Sequence, residues 1–255
     1  MVAPRSRVTP PFVLAAVVAL VAVWALAALA LGNPILPVPW VVAEAFAREW
    51  FGGDLWEHVL YSAYRVVLSI IIAVILAAPA GMAVGQAPMI DRIASPLIYL
   101  IYPVPKIVLL PIIMLFLGVG EASKIFIISL ILYFQILVLT RDAAYAVRPE
   151  LILSVRSLGA RRRHLLRYVY FPAVLPSILS SLRITSGTAI AVLFFTETFA
   201  THNGLGYFII VQSWGRVDYP AMYAGIVAMA ALGLSLYAVI EFLDRRFCAW
   251  VQAGV

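Results

Sequence analysis

The chain has 255 residues, 64% of them hydrophobic and 12% charged, against about half apolar and about a quarter charged in a soluble globular domain. That balance, with a mean hydropathy of +1.03, excludes a water-soluble fold and requires much of the surface to face lipid. The net charge of +6 and pI near 9.6 do not point to nucleic acid, because basic residues in a membrane protein first report orientation.

Six apolar runs predict an all-α integral membrane protein with about six spans. The first covers 11–32, after Arg5 and Arg7. A cleaved signal has an apolar core of about 7–15 residues; this run has the length of a span and is read as a retained helix. Residues 33–58 follow on the outer side. "NPILPVPW" reads as an extended lead-in, and "VVAEAFAREWFGGDLWEHVL" as an interfacial helix ended by Gly52 and Gly53. Trp40, Trp50, Phe51 and Trp56 suit the headgroup level. A five-span core occupies 60–247, with spans at 60–85, 94–118, 123–140, 174–197 and 221–243 and a long loop at 141–172. The 94–118 run contains Pro96, Pro103, Pro105 and Pro111. Pro103 and Pro105 cannot sit in a regular helix interior, so the kink packs against protein or lines a cavity. An ordinary kinked span is an equal reading.

If the spans alternate, Arg5, Arg7, Arg92, Arg141, Arg148, Arg156, Arg161, Arg162, Arg163, Arg167, Arg245 and Arg246 share one side. The other side carries Glu44, Glu49, Asp54, Glu57, Glu121 and Asp218, with Arg48, Arg65, Lys124 and Arg216 as its basic residues. This asymmetry places both termini and the 141–172 loop in the cytoplasm.

Cys248 is the only cysteine, which excludes an intrachain disulfide and a cysteine-based metal site. His58, His164 and His202 have no ligand spacing. No G-x-x-x-x-G-K-[ST] loop exists, so the chain is expected to bind no ATP and no cofactor of its own. No paired nucleophile and base lie within a span, which argues against an intramembrane enzyme. Charged residues near spans are functional candidates by default. Lys106, Arg183 and Glu197 are the candidates here for the translocation path, with ion pairing or snorkelling as the structural alternative. "THNGLGYFI" follows Glu197 and offers an outer gate or a partner contact.

The loop holds "SLGARRRHLLRYVYFP", Ser157 to Pro172. Gly159 allows a turn, and Leu158, Leu165, Leu166 and Val169 fall near one face of a helix expected from Ala160 onward. Pro172 is expected to end that helix before the next span. A basic segment of this kind either binds anionic lipid, at about 1 kcal/mol per cation, or docks its apolar face in a partner's groove with arginines at the rim.

"SLGARRRHLLRYVYFPAVLPSI" resembles the cytoplasmic coupling loop of permeases of the binding-protein-dependent ABC importers. Gly159 and Pro172 stand at that pattern's glycine and proline, and Val169 and Phe171 at its Ile and Leu. Leu153, Ser154 and Val155 replace its Glu-Ala-Ala, so the glutamate is missing. "YPVPKIVLLPIIMLFLGVGEASKIFII" and "NGLGYFI" are similar to the nitrate, sulfonate and taurine branch. The resemblance implies a type I importer permease in the bacterial inner membrane. It implies a second permease copy, most simply a homodimer, two cytoplasmic ATP-binding subunits and a soluble solute-binding protein outside. It implies that Ser157, Leu158, Gly159, Ala160, Arg161, Arg162, Arg163, Leu165, Leu166 and Pro172 form the element that docks the ATPase. The cargo would be a small anion such as sulfonate, taurine or nitrate, or alternatively a vitamin or vitamin precursor. An ion-driven transporter would need intramembrane carboxylates, and only Glu197 comes near. An energy-coupling component of vitamin uptake is a closer rival, disfavoured by the single central loop and the later "NGLGYFI".

Overall fold

The structure, a computed structural model, describes residues 10–199 and 201–252; Arg5 and Arg7 lie outside the described residues. Those residues form helices and turns without strands. Among the described residues five helices are long and apolar enough to cross a membrane, and a bent pair makes a sixth where its two arms count as one span. Helix α1, Pro10–Leu31, is followed by α2, Pro39–Phe51, and α3, Leu55–Gln86. The bent pair comprises α4, Pro88–Ile101, and Lys106–Leu117, whose last two turns are α5, Leu110–Leu117; the chain bends by 79° between them. Then come α6, Glu121–Tyr145; α7, Pro149–Ser157; α8, Arg162–Leu165; and α9, Phe171–Glu197. The short α10, Leu205–Tyr207, leads through a wide turn to α11, Tyr219–Phe247, and α12, Ala249–Gln252.

The helices overrun the apolar segments. A helix keeps its hydrogen bonds after leaving hydrocarbon, so Leu55–Gln86 extends beyond the 60–85 run at both ends. The core lies where α3, α6, α9 and α11 meet, around Val66, Ala73, Ile127, Leu132, Ala189, Leu193 and Ala228. Between apolar helices in lipid, close backbone approach replaces the hydrophobic drive. In α3 this comes from Gly81 and Gly85, one turn apart. A Cβ on Gly81 would stand 2.7 Å from the Leu137 carbonyl oxygen and 2.8 Å from the Thr140 Cβ. One on Gly85 would strike the Arg141 carbonyl oxygen and lie 2.8 Å from the Ala144 Cβ. Ser129 adds a cross-helix bond to the Ser69 carbonyl at 3.2 Å. By contrast α1 stays almost wholly exposed, touching its neighbours through Trp24. The indole N–H donates to the Pro37 carbonyl at 3.1 Å and the ring stacks on Tyr223.

The prolines of the 94–118 run divide the work. Pro96 is inside α4 and Pro111 occupies the first turn of α5, where a missing N–H costs nothing. Pro103 and Pro105 fall in the break itself. The freed carbonyls at the end of α4 are taken by Lys106, whose ammonium donates to Ile101 (3.0 Å), Tyr102 (3.1 Å) and Val104 (3.3 Å).

Candidate functional site

Two charged regions occupy opposite ends of the bundle. At the arginine-rich end, α7 projects with no buried residue. Pro149 opens it, Glu150 is in its first turn and Arg156 in its last, each matching the helix dipole. It closes on Gly159, where φ is +81° and the N–H bonds back to Arg156 at 2.9 Å. Such a left-handed closing residue favours glycine.

The expected helix from Ala160 to Pro172 takes a different form. Arg161 caps α8, a five-residue π turn follows at Leu166–Tyr170, and α9 continues without interruption, so that Arg162–Glu197 is one helical run. Pro172 therefore does not end a helix. The Phe171 N–H reaches back five residues to Leu166. This shifts the ladder just before a residue that has no donor, and Pro172 lies in the first turn of α9. The predicted apolar face also divides. Leu165 and Val169 are buried with Tyr170 against Val147, Ile152 and Val155, whereas Leu158 and Leu166 remain exposed at 86% and 46%. Ser157, Gly159, Arg161, Arg162 and Arg163 are exposed, and Ala160 is half-buried. The projecting helix is thus α7, one element earlier than the spacing indicated, and its inner face clips onto α8 and the π turn that lead into α9.

At the other end lies a charge network that sequence reading missed. Arg65, counted above among the basic residues of the outer side, is fully buried within α3. All five of its N–H groups find acceptors. Nε and Nη2 grip Glu121 at 2.7 and 2.5 Å. Nη1 donates to Glu197 at 2.7 Å and to the Asn203 carbonyl at 2.9 Å, and Nη2 also donates to the Asn203 side-chain oxygen. Glu197 is equally buried. It accepts from Ser62 Oγ at 2.8 and 2.9 Å and from the Gly206 N–H at 3.0 Å. Ser62 Oγ in turn accepts the Leu205 N–H at 2.8 Å, and His58 Nδ1 the Gly204 N–H at 3.0 Å. The imidazole therefore carries its proton on Nε2, which donates to Gln212 Oε1 at 3.1 Å; Gln212 donates to Asp54.

His58, Ser62 and Arg65 are four and three residues apart and share one face of α3. Together they bind the backbone of the Asn203–Gly206 turn. That turn needs its glycines. Gly204 has φ of +105°, and a Cβ there would run into the Glu197 carboxylate and Arg65; one on Gly206 would stand 2.6 Å from the Phe194 carbonyl oxygen. The 58–62–65 spacing was the available signal, masked because Arg65 precedes a long apolar run.

The three path candidates are not brought together. Glu197 belongs to this closed network. Arg183 pairs with Asp244 of α11 at 2.5 Å near the arginine-rich end. Lys106 stands at the break after α4. Among the described residues no cluster of His, Cys, Asp and Glu is arranged for a metal ion.

The model of the binding-protein-dependent transport system inner membrane component family matches residues 69–248. The chain is 33% identical to the taurine transport system permease protein TauC of Escherichia coli (strain K12), over 89% of this chain and 84% of that protein. It is 29% identical to the putative aliphatic sulfonates transport permease protein SsuC of the same organism, over 97% of this chain and 93% of that protein. Its fold is similar to a chain of the MetNI methionine ABC transporter in an inward-facing conformation. The TM-score is 0.64 at 18% identity, covering 76% of this chain and 95% of that one. The chain therefore belongs to the binding-protein-dependent transport system inner membrane component family, and is a multi-pass inner-membrane permease subunit of an ABC importer rather than an enzyme.

Proposed function

We propose that the subunit forms the membrane path for a small sulfonate anion, pairs with a second copy of itself, and receives force from two ATP-binding subunits through residues 141–172. The arginine-rich end then faces the cytoplasm, and a soluble solute-binding protein delivers cargo at the opposite end. The sulfonate reading rests on the likeness to TauC and SsuC. The single observation that carries the coupling reading is mechanical: an exposed helix, α7, is clipped through Ile152 and Val155 onto Leu165, Val169 and Tyr170, which continue into α9. A partner that grips α7 thereby moves a span. Leu151, Leu153 and Leu158 are exposed as its apolar contacts, and Arg156, Arg161, Arg162 and Arg163 surround them.

The test uses the complete transporter in proteoliposomes, reading uptake and ATP hydrolysis together. Arg162→Glu and Arg163→Glu are expected to lower uptake by on the order of tenfold or more, since like charges across an interface cost several kcal/mol. Gly159→Ala meets no steric obstacle, but its backbone conformation costs an L-residue roughly 1–2 kcal/mol. It is expected to loosen α7 and weaken coupling while the spans still insert. Wild-type uptake in all three variants would remove the transmission role.

A further inference from the structure

A cavity of about 330 Å³ opens where α4 breaks, lined in part by Tyr102, Lys106, Phe134, Gln135 and Val192. Lys106 is 8% exposed, and no carboxylate comes within ion-pair distance of it among the described residues. Arg65, by contrast, meets Glu121 and Glu197, and Arg183 meets Asp244. The Lys106 ammonium is held by the carbonyls of Ile101, Tyr102 and Val104 and by the face of Phe134, whose ring centroid is 4.6 Å away. Dipoles and a ring quadrupole orient a cation without cancelling its charge. Unpaired charges inside a membrane protein are rare and mark ion or substrate routes.

Gln135 lies beside it on α6, with its Oε1 position buried and without a hydrogen-bond partner. The two ends of an amide are interchangeable by rotation, so this position can present either an acceptor or an N–H donor pair. With Lys106 as neighbour, a ligand that brings oxygen acceptors satisfies both: charge from Lys106 and donors from Gln135. The size fits the lower end of the roughly 300–1,000 Å³ range of ligand pockets, which suits a cargo of few heavy atoms.

We propose that this cavity is an anion subsite on the translocation path, in which Lys106 and Gln135 receive the oxyanion headgroup of the cargo. The subsite rests on the reading of the chain as an importer of small sulfonates. Lys106 has two tasks there, since the same ammonium closes the broken end of α4 and supplies the field in the cavity.

Radiolabelled taurine and ethanesulfonate are the probes, with the complete transporter in proteoliposomes. Lys106→Met is expected to abolish uptake, but it also removes the α4 cap. Gln135→Glu keeps the size and the fold and places a fixed carboxylate beside Lys106. It is expected to cut uptake about tenfold or more, as like charges at one site repel strongly, while the purified transporter melts at the wild-type temperature. Gln135→Glu and a folded Lys106→Met with wild-type uptake overturn the subsite. If the wild type imports neither probe while its ATP hydrolysis responds to the binding protein, the sulfonate reading has failed instead. Crystals of the transporter grown in bromide then decide the subsite separately. An anomalous peak beside Lys106 that vanishes in Gln135→Glu supports it, and its absence in the wild type overturns it.

Discussion

Arg65→Met is expected to destabilise the subunit by about 3–5 kcal/mol, the cost of leaving a buried charge without its partner. Glu197 is fully buried, and without Arg65 its carboxylate keeps only Ser62 and the Gly206 N–H. The Asn203–Gly206 turn loses its strongest hold at the same time. Thermal melting of the purified protein in detergent measures the loss. Two companion variants separate charge from packing. Glu121 is 41% exposed at its side chain, so Glu121→Gln is expected to cost about 1 kcal/mol or less. Arg65→Met combined with Glu197→Gln removes both buried charges and is expected to recover more than half of the loss, because replacing a whole buried pair is often close to neutral. If the double variant melts no higher than Arg65→Met alone, the network holds by shape and not by charge.

Gly85→Leu is expected to prevent α3 and α6 from seating. An added Cβ meets a backbone carbonyl, which cannot turn aside as a flexible side chain would. Even Gly85→Ala pits two effects against each other. Alanine is a better helix former than glycine by about 1 kcal/mol, whereas overpacking a tight contact costs about 1–3 kcal/mol and sometimes more. With the obstruction made of backbone, the clash prevails and the melting temperature falls. Gly187 in α9 supplies the internal control, since a Cβ there meets nothing within 4 Å. Gly187→Ala is expected to leave the melting temperature unchanged or raise it. Equal effects at Gly85 and Gly187 would mean that helix propensity, not close approach, governs this bundle.

Five membrane-length helices and the broken 94–118 run were legible from apolar run length alone, because lipid demands continuous helix and little else. What length cannot show is register. Arg65 reads as an outer-side charge at the start of the 60–85 span, yet it is only one helical turn beyond Ser62 and on the same face, so it points inward. Glu121 and Glu197 are far from it in sequence, and only the packing of α3 against α6 and α9 brings them within hydrogen-bond distance. The Ser157–Pro172 segment shows the opposite error. Pro172 reads as a stop by residue type, but the π turn just before it changes which carbonyl lacks a donor, and the helix continues. Gly159 was legible as a turn from its residue type; that the exposed helix lies before it depended on Ile152 and Val155 finding Leu165 and Val169.

The unbroken run from Arg162 to Glu197 has 36 residues, a rod of about 54 Å at 1.5 Å per residue. Tilting such a rod by about 5° swings one tip by about 5 Å relative to the other. Glu197 is its last residue, and Arg65 clamps it there. On the coupling reading proposed above, this rod acts as a lever whose fulcrum is the clamped tip, with the larger travel at the opposite tip, beside Arg162.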